Sequence, residues 1–428
     1  MPSIKNITSC VAIALLIASS CHAQAQTLPA NEMGLAEAIV MALEKSPRIK
    51  GVEAGILAAK GERRQASAFP NPSLGMDVEN IGGTGSYKGA DSAEITFGAS
   101  QLVELGGKRS ARMAIADASQ DIAGYDQITP QLDLIRDVKV AFANAVAAQE
   151  QVIIAEQQVS LAKDVLNTVT KRVDAAAEPI IQKNKARVSL SNAQIAYEKA
   201  KRDKVATIKN LFNLWGATPS DVPLAKDQFY TMVTPEANDR IETVLENSVD
   251  HKRQIASVNQ AKSVIDLEKA NAVPDPSFNV GIRELRQNND QALVVGFSVP
   301  LPVFNINGGN IAKARAEAVK ANADRQGLLL EKRDKFNDYT QQLESSYVAA
   351  STLKNDVLPQ AEEAFSQARK GYNAGKFAYL EVLDAQRTLA ETKQSYIESL
   401  QQYQISNAEI ERLTAQTSDI QLEKNNAK

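Results

Sequence analysis

Two cysteines, Cys10 and Cys21, and two histidines, His22 and His251, are all the thiol and imidazole groups that the 428 residues contain. A metal cage needs several such donors converging, and nucleophilic catalysis needs a nucleophile, a base and an orienting group within mutual reach. The N-terminus removes most of these groups. Lys5 precedes an apolar run from Cys10 to Ala18, and small residues follow through Ala23 and Ala25, the make-up of a secretory signal over residues 1–25 cleaved after Ala25. A second reading takes Ala18-Ser19-Ser20-Cys21 as a lipoprotein box that leaves Cys21 as a lipidated N-terminus. After cleavage at Ala25 the chain has no thiol, and His251 is its sole histidine. Neither a phosphate loop nor a cluster of metal ligands is present in the sequence. The chain is therefore expected not to be an enzyme, to hold no structural or catalytic metal and to need no cofactor.

With chemistry set aside, the elements carry the information. The chain is 44% hydrophobic and 23% charged, with 21 Gly but only 11 Phe and 1 Trp. Ala, Val and Leu dominate the apolar content, which suits long helices packed side by side better than one thick core. A net charge of -3 from 48 basic and 51 acidic residues is too small a field to recruit nucleic acid. No apolar run beyond the signal approaches the roughly 20 residues of a membrane helix. If the chain spans a membrane, it does so with strands.

The sequence reads as one unit written twice. Phe69-Pro70-Asn71-Pro72-Ser73-Leu74 recurs as Val273-Pro274-Asp275-Pro276-Ser277-Phe278, and Gly106-Gly107 recurs as Gly308-Gly309. The first repeat is assigned to residues 26–215 and the second to 237–415. An equatorial linker over 216–236 joins them, and 416–428 form a flexible tail. Each repeat opens with a helical stretch, Leu35 to Ala68 or Ile241 to Ala272, that ends at its proline pair. Two alternating segments follow. Leu74, Met76 and Val78 share one face and Gly75, Asp77 and Glu79 the other; Ile95, Phe97 and Ala99 oppose Thr96, Gly98 and Ser100. Phe278, Val280 and Ile282, then Leu293, Val295 and Phe297, repeat the pattern.

After its glycine pair each repeat enters a long helix. From Leu132, apolar residues keep three-and-four spacing through Val138, Phe142, Ala145, Ala162 and Val169, broken at Gln149 and Glu156; the second repeat matches with Phe336, Leu343, Ala350, Ala361, Phe365 and Tyr372. Leu132 to Val173 alone extends roughly 60 Å. Pro359 marks a kink or a junction of stacked helices. The helices reverse near Ala175 to Pro179 and at Ala374-Gly375, returning through Lys183 to Leu211 and Tyr379 to Leu413. The fold class is thus mainly α, with long coiled-coil hairpins and four β-strands per chain. Four strands cannot close a membrane barrel, so a spanning chain must oligomerise, a trimer giving roughly 12 strands. The alternative is two exposed strand hairpins on a soluble helical rod.

At these residues the chain resembles the TolC family of outer-membrane efflux proteins over almost its whole mature length. The stretch from Tyr372 to Arg387 looks like the second periplasmic turn of that family, and Val103-Glu104-Leu105-Gly106-Gly107-Lys108-Arg109 is similar to its heavy-metal branch of the cobalt-zinc-cadmium type. The resemblance implies a homotrimer with a 12-stranded transmembrane β-barrel in outer-membrane lipid and a periplasmic α-barrel tapering to a closed end. It also implies a periplasmic adaptor (membrane fusion) protein and an inner-membrane, proton-driven pump of the RND type as partners. Such a duct would be passive, and heavy-metal cations would be its cargo.

Carried over by position, the pore gate comprises Glu381, Asp384, Tyr372 and Lys376. The adaptor-docking turns are Val173, Asp174 and Ala175 in the first repeat and Asn373, Ala374 and Gly375 in the second. Glu381 and Asp384 lie three apart and share a helix face, so three copies would set six carboxylates around one opening. The sequence departs from the family pattern at Phe377, where a gate arginine is expected, and in the first turn, which lacks a glycine. The runner-up reading is a periplasmic adaptor or a structural coiled-coil protein of an export machine.

Overall fold

The computed structural model describes residues 32–219, 222–235 and 241–416. The signal segment with Cys21, and the tail from 417 on, lie outside the described residues. The elements run α1 (Leu35–Lys45), α2 (Pro47–Lys50), α3 (Val52–Ala66), β1 (Ser73–Glu79), β2 (Glu94–Leu102), α4 (Lys108–Asp174), α5 (Ile180–Asn213), α6 (Asp227–Tyr230), α7 (Ile241–Glu246), α8 (Val249–Asn271), β3 (Ser277–Leu285), β4 (Asp290–Ser298), α9 (Gly308–Thr352), α10 (Leu358–Asn373) and α11 (Tyr379–Thr414).

The four strands form one antiparallel sheet in the order β1-β2-β3-β4, with both outer edges unpaired within the chain. Register brings like faces together. Met76 lies opposite Phe97 and Phe97 opposite Ile282, while Val280 faces Val295 and Phe278 faces Phe297. One side of the sheet is therefore apolar from edge to edge and exposed: Leu74 is 87% accessible, Val295 74% and Phe297 63%. The other side carries Gly75, Gly98 and Gly281 in a row, with Asp77, Thr96 and Arg283 in the next. Arg283 reaches Glu79 at 3.0 Å and Glu94 at 2.8 Å. Contiguous exposed apolar surface of this kind marks a partner or a membrane.

The helices match the sequence reading in kind and differ in their breaks. The stretch expected from Leu35 to Ala68 is split, because Ser46 before Pro47 adopts an extended conformation. The stretch from Ile241 is likewise interrupted at Ser248, whose extended backbone starts α8. α4 begins at Lys108 and runs 67 residues, about 100 Å, straight through Pro130. Pro130 denies the Asp126 carbonyl its helical donor, yet Thr129 and Gln131 on either side bond the carbonyls of Tyr125 and Gln127 at 3.1 Å. Pro359 does not break its helix either. The turn before it, Leu353–Val357, widens to a π-helix, which accommodates the proline ring in the first turn of α10.

α4 is the spine, packed on α1, α3, α5, α8 and α11. Midway along it Leu134, Val138, Phe142 and Val146 close on Ile39, Leu211, Phe212, Trp215, Phe229 and Leu400. Towards the turns a second core joins Val169 and Ala186 to Phe365, Tyr372, Tyr379 and Val382. Among the described residues, no helix is long and apolar enough to cross a membrane.

Candidate functional site

Both helical hairpins end in the same turn. Ala177 donates to the Arg172 carbonyl at 2.8 Å and Ala176 to that of Val173 at 2.9 Å; Lys376 donates to Gly371 at 2.8 Å and Gly375 to Tyr372 at 2.9 Å. This paired pattern closes a helix with one residue in the left-handed region. In the second turn that residue is Gly375, at φ 72°. In the first it is Ala176, at φ 56°, so the missing glycine alters the residue and leaves the turn intact. Asp174, Ala175, Asn373, Ala374 and Gly375 are exposed at the tips, and Val173 is half-buried.

Glu381 and Asp384, one turn apart on α11, are exposed and line one groove with Lys376 and Phe377. Phe377 folds back over Gly371, where any side chain would collide with its ring. Tyr372 is not in that groove. It is only 2% accessible, with its ring centroid 6.1 Å from that of Tyr379. The structure thus brings three of the four residues expected at the gate together and puts Tyr372 beneath them, because the three-and-four spacing that aligns it with Phe365 and Ala368 turns it into the seam. Burial pushes the phenols of both Tyr372 and Tyr379 above the usual range. Neither hydroxyl has a hydrogen-bond partner, a cost of about 1–3 kcal/mol each.

Arg172 ties the two tips together and was given no role in the sequence reading. Its guanidinium donates to the Tyr372 carbonyl at 2.6 Å and sits 4.6 Å from the Tyr372 ring centroid, with Glu178 at 3.6 Å. The signal was present: Arg172 is the basic residue of the first turn, while the second has Phe377 where an arginine was expected.

Two polar clusters brace the shafts. Gln149, which breaks the apolar spacing of α4, exchanges two 3.1 Å hydrogen bonds with the backbone of Leu224, and Glu150 accepts from the Tyr230 hydroxyl at 2.7 Å. Nearer the strands, Asp250 meets Lys332 at 2.5 Å and Arg412 at 2.9 Å, and Arg412 also holds Asp133 at 2.6 Å. Among the described residues no group of acidic, thiol or imidazole side chains could hold a metal ion.

The family model for outer membrane efflux proteins matches residues 38–217 and again residues 241–416. The chain belongs to the outer membrane efflux protein family. It is similar to the cobalt-zinc-cadmium resistance protein CzcC of Cupriavidus metallidurans, 28% identical over 384 residues and 90% of each chain. The nickel-cobalt-cadmium resistance protein NccC of Alcaligenes xylosoxydans xylosoxydans is 26% identical over 319 residues, 74% of this chain and 71% of its own. Among solved structures, CusC superposes with a TM-score of 0.76 at 18% identity, over 89% of this chain and 92% of its own. VceC of Vibrio cholerae gives 0.72 at 18% identity, over 89% and 96%.

As an outer membrane efflux protein, the chain resides in the outer membrane with a periplasmic helical extension. The adaptor and structural-rod readings give way to the family assignment.

Proposed function

We propose that three copies of the chain close their sheets into one 12-stranded barrel and their helices into a tapering tube, forming a passive duct from periplasm to exterior. The observation that carries this reading is the open-edged sheet with one continuous exposed apolar face. In lipid, each unpaired edge group would cost several kcal/mol, and joining edge to edge around a ring removes that cost. Strands of seven to nine residues approach the length a tilted barrel strand needs. The helical part supports the same arrangement: Ile181, Val188 and Ile195 recur every seventh residue along the exposed side of α5, a seam that a neighbouring copy would cover.

The two matched halves reflect an internal duplication, so each chain contributes two strand pairs and two helical hairpins to the ring. Tip residues Val173, Asp174, Ala175, Asn373, Ala374 and Gly375 meet a periplasmic adaptor, and a proton-driven inner-membrane pump delivers the cargo. Glu381, Asp384 and Lys376 line the constriction, with Tyr372 packed behind them. The names of the relatives favour divalent heavy-metal cations as that cargo, and carboxylates at the constriction suit cations. The test is reconstitution of the detergent-extracted protein into planar bilayers. Stepwise conductance with a trimeric particle is expected; a monomer without conductance sinks the proposal. Deletion of the gene should sensitise cells to cobalt, zinc or cadmium if the cargo is as proposed.

A further inference from the structure

The two repeats treat the junction between strands and helices differently, and the difference points outside the chain. In the first repeat, the loop after β2 clasps the proline pair of the second repeat. Val103 donates to the Pro276 carbonyl at 2.9 Å and Leu105 to the Asp275 carboxylate at 2.8 Å. Lys108 is buried against the same segment, 2.6 Å from Asp275 and donating to the Val273 carbonyl at 2.7 Å. Gly106, at φ 68°, lies so close that a side chain there would run into Val273.

In the corresponding loop after β4, Asn307 is held by α8, its side-chain amide donating to the Glu268 carbonyl at 2.8 Å and carboxylate at 2.7 Å, while the residues before it project outward. Leu301, Val303 and Ile306 are exposed and Phe304 is fully so. The proline pair of the first repeat, Pro70 to Pro72, is the matching receptor: Gln101 donates to the Pro70 carbonyl at 3.1 Å and the Arg109 guanidinium lies 4.3 Å from the Phe69 ring centroid, yet Phe69 remains 71% accessible. Loop and receptor lie on the two outer strands of the open sheet, β4 and β1.

We propose that residues 301–310, a segment four residues longer than its counterpart 103–108, dock on the proline pair of a second copy of this chain, repeating between copies the clasp that residues 103–108 make within one. This rests on the ring reading above and adds to it a contact outside lipid. The chemistry of the two clasps differs. By repeat position Asn310 stands for Lys108 and Asn71 for Asp275, so the buried ion pair inside the chain becomes a neutral amide pair between chains. Apolar contact from Phe304 and Ile306 onto Phe69 supplies the affinity. The same repeat relation places Gly308 against Phe69 of the next copy, as Gly106 lies against Val273. It also sets Val295 opposite Val78 across the strand seam, as Phe97 lies opposite Ile282.

Cysteine pairs in the full-length chain, purified in detergent and oxidised, test this. The seam pair Val78→Cys with Val295→Cys reports the ring alone, and the clasp pair Phe69→Cys with Gly308→Cys reports the docking, each read against its single-cysteine variants. Both pairs should give covalent trimers. Cross-linking of the seam pair without the clasp pair overturns the docking and leaves the ring standing; failure of both overturns the two together. Phe304→Ser gives a second readout. It should lower the temperature at which the trimer separates while leaving helix content unchanged, and an unaltered separation temperature would contradict the proposal.

Discussion

At the scale of single residues, the proposed constriction rests on the charges of Glu381 and Asp384. Exposed and one turn apart beside Lys376, they would repel their counterparts in a narrow ring until cations or protons relieve them. Glu381→Gln with Asp384→Asn is expected to raise single-channel conductance or weaken block by divalent cations; bilayer recordings indistinguishable from the parent would contradict the gate assignment. Asp250 has a structural charge. Burial raises its pKa, but the Arg412 hydrogen bond and the nearby Lys332 prevail and hold it below the usual carboxylate range. Folded Asp250 thus releases its proton more readily than unfolded Asp250. Its contribution is complete above about pH 4 and fades as the pH falls through the lowered value. Asp250→Asn should cost about 3–5 kcal/mol at neutral pH by leaving Lys332 and Arg412 uncompensated, and it should flatten the acid limb of a melting-temperature curve.

At the scale of elements, the two tips make a controlled pair. They share a hydrogen-bond pattern, but Ala176 occupies the left-handed position that Gly375 fills in the other. An L-residue there costs about 1–2 kcal/mol. Ala176→Gly is expected to slow hydrogen exchange of the first-turn amides, and Gly375→Ala to speed exchange in the second; equal rates in parent and variants would refute the strain. If the tips dock an adaptor as proposed, tight first and second turns would keep that surface in shape. Gln149 belongs to this scale as well. It breaks the α4 seam in order to fasten the linker at Leu224, so the irregularity in spacing marks where a second element crosses.

For the whole molecule, the sheet decides the environment. Val280 sits centrally on the apolar face and Asn279 beside it on the other. Val280→Arg should destabilise assembly by about 2–4 kcal/mol per chain if that face meets hydrocarbon at mid-depth. Asn279→Arg should leave assembly in the membrane fraction intact and change only conductance. Equal tolerance of arginine at both positions would rule out a lipid-facing surface. In the proposed duct the strands hold the lipid end, while the π-turn before Pro359 lets α9 and α10 continue as one shaft and Arg172 ties the two hairpins together at the far end.

The sequence by itself determined the kinds of element and their order. Period-two alternation can face only one way in a strand, and sustained three-and-four spacing closes only a helix seam, so β1 to β4 and the long hairpins were legible without coordinates. It also placed both reversals, Gly375 marking the second and Pro179 bounding the first, whose left-handed residue, Ala176, only the structure reveals. Tertiary structure alone decided the rest. The sequence marks Pro359 as a kink or junction, which the π-turn between α9 and α10 supplies, but it gives no sign that Pro130 is absorbed within α4, because whether a lost hydrogen bond ends a helix depends on neighbouring side chains. Tyr372 went to the seam and Arg172 to the tip-to-tip bond because both depend on how one hairpin leans on the other, a relation that no local spacing encodes.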